Sequence, residues 1–285
     1  MALASVGFIV LLVLVALFAG PLASLIGHGP NELFQNDMLD DFGLPKGPNG
    51  DFLFGADASG RDVLVRMIYG TRVSLKVGLF ATLVAVGIGV VLGLLAGYLG
   101  GIVDTILSRI AEIILSLPIL LFAIGIVTAC GASKEGCARG YVKPGVTLVV
   151  LISAFFTWPV MYRIVRGVVL SLREREFVDA ARSVGAGPFT IMFREILPNL
   201  ISPVIVYASL MVPQAILFEA YLSFLGLGVP DSIPSWGRMI SDGSAIYDVA
   251  WWLIVFPGII LLLTVLAFNL LGDGLRDALD PKSDR

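Results

Sequence analysis

Charge is scarce in this chain. Only 14% of its 285 residues are Asp, Glu, Lys or Arg, where a soluble domain carries roughly a quarter. The rest is apolar, with 57% hydrophobic residues and a mean hydropathy of +0.93. So little charge cannot cover a water-facing surface, and an integral membrane protein is expected. The net charge is −3 and no basic stripe is present, so nothing points to a nucleic-acid partner. Histidine occurs only as His28 and cysteine only as Cys130 and Cys137, too few for a local His/Cys metal site. His28 closes the first apolar run and receives no function. The phosphate-loop pattern G-x-x-x-x-G-K-[ST] is missing, so ATP hydrolysis by this chain alone is not expected. An intramembrane hydrolase would need a nucleophile with a base, or paired aspartates at depth, and neither is present.

What the chain does have is long apolar runs. Six reach the ~20 residues that a membrane helix needs, near 6–26, 73–99, 102–129, 145–170, 200–224 and 249–271. They are continuous rather than alternating, which argues for helices and against a barrel. The first has no Lys or Arg before it and exceeds a signal-peptide core, so it is expected to remain as a helix. The expected fold is all-α with six transmembrane helices. Its parts are a first helix (1–27), an extracytoplasmic connection (28–71), a five-helix core (72–272) and a tail (273–285). Pro and Gly punctuate the connection, which predicts loop and turn. Its end, GRDVLVRMIYGTRVSL, places Val63, Met67 and Ile68 near one helical face, predicting a short interfacial helix.

Basic residues are nearly balanced between the two sides. The connection holding Arg163, Arg166, Arg173, Arg175, Arg182 and Arg194 nevertheless favours a cytoplasmic N-terminus.

That connection contains an unusual stretch, 173–198. Phe177, Ala181 and Val184 recur at i, i+4 and i+7, one stripe of a helix. Ala180 and Ala181 keep it thin, so another backbone can come close. Gly185 sits where a helix would end at positive φ. Pro188 suits the first turn of a second helix, with Phe189, Met192 and Phe193 as an apolar ridge. Pro198 marks the entry to the next span. Either this is an ordinary interfacial loop, or it is a protruding helix–turn–helix made for a groove on a partner.

Asp179-Ala180-Ala181, Gly185 three residues later and then Leu197-Pro198 resemble the EAA motif of ABC importer permeases. Two positions depart from it: Asp179 replaces Glu, and Glu195 occupies an Ile position with Ile196 beside it. The stretches 56–78, 97–118, 219–243 and 268–281 are similar to C-type permease subunits of dipeptide and oligopeptide importers. Relatives that import nickel chelates, glutathione or other small solutes share them. The resemblance implies a type I ABC importer permease in a bacterial plasma membrane. It would pair with a homologous B-type permease, two ATPase subunits and an extracytoplasmic solute-binding protein. ATP and Mg²⁺ would be used by the ATPase subunits, with no cofactor on this chain. Asp179, Ala180, Ala181, Arg182, Gly185, Phe189, Met192, Phe193 and Pro198 would form the joint to an ATPase, and the EAA loop would face the cytoplasm. An ATP-independent secondary transporter is the remaining alternative, but no internal repeat supports it and the EAA stretch would be unexplained.

A few polar residues interrupt the spans. Arg109 and Glu112 are at i, i+3, within pairing reach, and with Asp104 they are expected to be structural. Glu219 lies well inside an apolar stretch, where a carboxylate is by default a functional candidate; it could line the solute path or tie neighbouring helices. Gly226 and Gly228 suggest a broken helix after it. The segment 234–243 predicts a short outer-surface helix with Trp236 at headgroup level. Cys130 and Cys137 share one extracytoplasmic connection, where a disulfide between them would persist. Leu271, Leu275 and Leu279 predict a short cytoplasmic helix in the tail.

Overall fold

The computed structural model describes residues 2–131, 142 and 145–279. Among these the chain is helical, with isolated bridges but no strand. In order the helices are α1 (Ala2–Leu17), α2 (Ala19–Ile26), α3 (Gln35–Met38), α4 (Val63–Leu99), α5 (Gly101–Ser116), α6 (Ile119–Gly131), α7 (Val146–Leu172), α8 (Glu176–Ser183), α9 (Pro188–Thr190), α10 (Leu197–Phe224), α11 (Trp236–Ser244) and α12 (Trp252–Leu279). Four helical stretches are long and apolar enough to cross a bilayer, or six when each of two bent pairs counts as one span.

Both bends have a proline cause. The first run breaks by 72° between α1 and α2. Pro21 cannot donate a backbone N–H, and its ring stands against the carbonyl four residues back. The third run, expected as one helix, breaks by 84° between α5 and α6. Leu117 precedes Pro118 and is extended, at φ −74° and ψ 135°, as a residue before proline prefers.

The opposite correction applies to α4. The expected interfacial helix and second span are one 37-residue helix. The Asp62 carboxylate caps it, accepting from the Leu64 and Val65 amides at 2.8 and 3.2 Å. No proline follows before residue 99, so nothing stops the helix near 72. The tail likewise continues α12 to Leu279 instead of forming its own helix.

The bundle is built on the seam between α4 and α7. Gly89, Gly93 and Gly97 lie one turn apart against Met161, Val165 and Val169. A Cβ at each glycine would stand 2.6, 2.8 and 2.7 Å from the facing Cβ atoms. Small residues at i, i+4 and i+8 let two helices approach without a solvent-driven hydrophobic force, which lipid does not supply. Across the bundle, Arg166 on α7 binds Asp104 on α5, with Nη2–Oδ2 at 2.7 Å. Arg109 pairs with Glu112 at 2.7 Å. The expected Arg109–Glu112 pair is formed, and Asp104 pairs with Arg166.

The 28–71 connection packs through Phe34, Met38, Phe52 and Ala56. His28 stacks on Phe52 at 4.6 Å and meets Asp62 Oδ2 through Nδ1 at 2.7 Å. Cys130 ends α6 at 1% exposure; its expected pairing with Cys137 lies outside the described residues.

Candidate functional site

The 173–198 stretch forms the predicted hook. Helix α8 ends at Gly185, whose φ is +83°. The Gly185 amide bonds the Arg182 carbonyl at 2.9 Å, and the Ala186 amide bonds the Ala181 carbonyl at 3.0 Å. This paired 5→2 and 6→1 closure satisfies carbonyls that a helix end would otherwise leave open. The chain reverses and Pro188 begins α9. A π-helical turn, Ile191–Ile196, carries α9 straight into α10. Its cause is Pro198, which cannot donate to the carbonyl of residue 194, so the ladder slips and the Leu197 amide bonds Met192 O. Pro198 therefore sits inside a continuous helix and does not mark a new entry.

The hook has two faces. Val178, Ile191, Met192 and Ile196 are at most 1% exposed, and Ala181 and Ala186 pack beside them on the bundle core. Met192 is thus an anchor of the hook itself, not part of an outward ridge. Ala181 also leaves the expected stripe, because it falls three residues after the buried Val178 and shares its face. The outward stripe is Phe177, Ala180 and Val184, joined across the turn by Phe189 and Phe193. Val184 is 85% and Phe189 71% exposed. Arg182 bonds Asp179 Oδ1 at 3.1 Å and lies 5.9 Å from the centre of the Tyr98 ring, tying α8 to the end of α4. Arg173 adds a second tie, donating to the Gly97 carbonyl at 3.1 Å.

Glu219 presents the opposite arrangement. Its side chain is fully buried and accepts from Ser223 Oγ at 2.7 Å and Ser74 Oγ at 3.1 Å. It thereby links α10 to α4 and reaches no surface of this subunit. Beyond it the chain turns at Gly226, φ +75°, and returns as α11. There Gly237 lies directly on the Ala220 backbone. Trp236 is fully buried against Gly70 of α4, so its ring faces the bundle and not lipid. The absence of a side chain at Gly70 and Gly237 opens the slot that holds it. Ser223, four residues after Glu219, was legible as a helix neighbour; Ser74, on a helix far away in sequence, was not.

Outside Glu219, the return is pinned by charge. Arg61 donates to Asp57 at 2.7 Å and to both Asp231 oxygens at 2.8 and 3.2 Å. Arg66 donates to the Asp231 carbonyl at 3.2 Å and the Pro30 carbonyl at 3.1 Å. Hydrogen bonds from Arg61 hold the Asp231 carboxyl below the usual carboxylate range, whereas burial pushes Asp242 up. No group of three or more potential metal ligands occurs among the described residues.

A helical bundle with a broken return on one side and a two-helix hook on the other defines a membrane permease. Residues 89–285 match the binding-protein-dependent transport system inner membrane component family, and the chain belongs to that family. It is 43% identical over 281 residues to the oligopeptide transport system permease protein OppC of Escherichia coli (strain K12), covering 98% of this chain and 87% of that one. It is 40% identical to the di/tripeptide transport system permease protein DppC of Pseudomonas aeruginosa (strain UCBPP-PA14), covering 99% and 88%. It is also 40% identical to the glutathione transport system permease protein GsiD of Shigella flexneri serotype 5b (strain 8401), covering 99% and 86%. The inward-facing MetNI methionine ABC transporter shares the fold, with TM-score 0.60 and 17% identity over 75% of this chain and 96% of that one. The chain is accordingly a multi-pass inner-membrane permease component of an ABC importer, and not itself a catalyst.

Proposed function

We propose that this subunit moves short peptides inward by alternating access, driven by separate ATPase subunits that grip the 173–198 hook. One observation carries the coupling: the hook turns Phe177, Ala180, Val184, Phe189 and Phe193 away from its own bundle. Exposed aromatic and aliphatic side chains beside a small alanine suit a partner groove that needs close backbone approach. The buried anchors Val178, Ile191, Met192 and Ile196 would pass the partner's motion to α10 and so to the spans. Two ATPases, using ATP and Mg²⁺, would serve this chain and a homologous B-type permease. An extracytoplasmic binding protein would deliver the solute near the charged α10–α11 return. The peptide assignment is supported by the names of the relatives; glutathione, itself a small peptide, falls within the same chemistry.

The test is Ala180→Glu. A charge placed on the outward stripe would be desolvated in a docking groove but remains in water on the free hook. Membrane insertion and pairing with the second permease should persist, while ATPase copurification and peptide uptake fall together. Normal ATPase retention with normal uptake would contradict the coupling reading.

A further inference from the structure

Arg72 and Lys76 on α4 have no answering charge. They stand four residues apart on one side of the helix, both exposed. Among the described residues neither makes an ion pair or a side-chain hydrogen bond, although Arg61 and Arg66 nearby are both ion-paired.

Their depth can be read from α4 itself. Residues 77–99 carry no charge. At helical rise they extend about 34 Å, enough to cross a hydrocarbon core of about 30 Å. Lys76 and Arg72 therefore lie at the extracytoplasmic headgroup level. There the outer end of α1 meets α4, and Val13, Ala16, Leu17, Leu75, Leu79 and Phe80 complete a groove of about 250 Å³ with the two cations. Gly20, just past the end of α1, faces the Tyr69 hydroxyl on the first turns of α4, so the two helices run antiparallel and the Arg72 end of the groove is its outer end, with Leu79 and Phe80 deeper. Charge sits at the mouth and the wall below is apolar. Leu17, Leu79 and Phe80 remain 69%, 45% and 55% exposed.

That order of chemistry matches an amphiphile with an anionic head. A hydrophilic solute carboxylate could satisfy the cations but would have no use for the apolar slot beneath them. We propose that the α1–α4 groove binds an anionic phospholipid of the extracytoplasmic leaflet. Arg72 and Lys76 hold its phosphate, and an acyl chain lies along Leu79, Phe80 and Val13. The bound lipid would fill the seam between the bent first span and the bundle.

The experiment uses the assembled transporter in nanodiscs of phosphatidylglycerol and phosphatidylethanolamine in equal amounts, followed by native mass spectrometry. Wild type should retain phosphatidylglycerol preferentially. Each of Arg72→Gln and Lys76→Gln should reduce that preference about fivefold, the contribution of one basic side chain at an anionic membrane surface. Arg276→Gln, at the cytoplasmic end of α12, should leave it unchanged. Retention of both lipids in their input ratio, or a preference that survives the double substitution, would overturn the proposal. If the double variant does not assemble, Lys76→Gln alone carries the comparison. An excess of dipeptide with a free C-terminal carboxylate should not displace the lipid; displacement would assign the cations to the solute and overturn it equally.

Discussion

The hook and the Glu219 clamp are both polar interruptions of an apolar chain, yet they spend their polar groups differently. Around Glu219 the carboxylate is enclosed and meets hydroxyl donors from two helices. On the hook, Arg182 and Asp179 answer each other at the surface, and large apolar side chains point outward. A buried polar group must be satisfied within its own fold. An exposed apolar cluster is satisfied only by another molecule. The clamp is closed within the subunit, whereas the hook leaves an apolar face open to the ATPase contact proposed above.

This contrast orders four predictions by their effect on the folded subunit. Gly237→Val should be the most damaging. Its new side chain meets the Ala220 backbone, which cannot move aside as a flexible side chain could. No monodisperse permease pair should appear by size-exclusion chromatography; a normal profile would show that the return can repack. Glu219→Ala comes next. It strands the Ser74 and Ser223 hydroxyls, at roughly 1–3 kcal/mol each, and should lower the thermal midpoint clearly. Glu219→Gln keeps an acceptor and supplies a donor, so its loss should be much smaller. Equal losses for the two would dissolve the hydrogen-bond account.

Gly185→Val should cost the fold less still. Space around the residue is open, and only the backbone at φ +83° resists, by about 1–2 kcal/mol. Stability of the spans should change little, while ATPase retention and uptake are lost because the hook is reshaped. Retained uptake would make the turn dispensable.

Asp231→Asn should have the smallest effect. Arg61 lowers the folded-state pKa of Asp231, so its contribution is present above the unfolded value and disappears as pH falls through the folded one. Stability of wild type should decline more steeply than that of the variant on acidification below about pH 4, as followed by thermal melts. Parallel curves would remove Asp231 from the account. Asp242, shifted upward chiefly by burial, acts in the opposite direction, and the substitution removes the Asp231 charge that adds to its upward shift.

Much of this was legible in the sequence because apolar run length and turn chemistry are local. The spans, the turn at Gly185 and the Arg109–Glu112 pair followed from spacing alone. Faces within the hook did not. Phe177, Ala181 and Val184 fit one helical stripe by periodicity, but whether Ala180 or Ala181 turns inward depends on where α7 and α10 lie beneath. The same limit hid Met192, Ser74 and the burial of Trp236, each set by a helix distant in sequence. Pro118 could have been read: a proline inside a long apolar run is a break signal, and run length concealed it.

The central claim is that the outward face of the hook is the contact with the ATPase. Thiol-specific cross-linking tests it most directly. Val184→Cys places a reactive group at a position 85% exposed on the hook, and Phe42→Cys places one at 89% exposure on the 28–71 connection. In membranes carrying the whole transporter, a short bifunctional reagent should join residue 184, and not residue 42, to an ATPase subunit, with a yield that changes when nucleotide is bound. Equal cross-linking from both positions, or none from residue 184 while the ATPases remain associated, would contradict it.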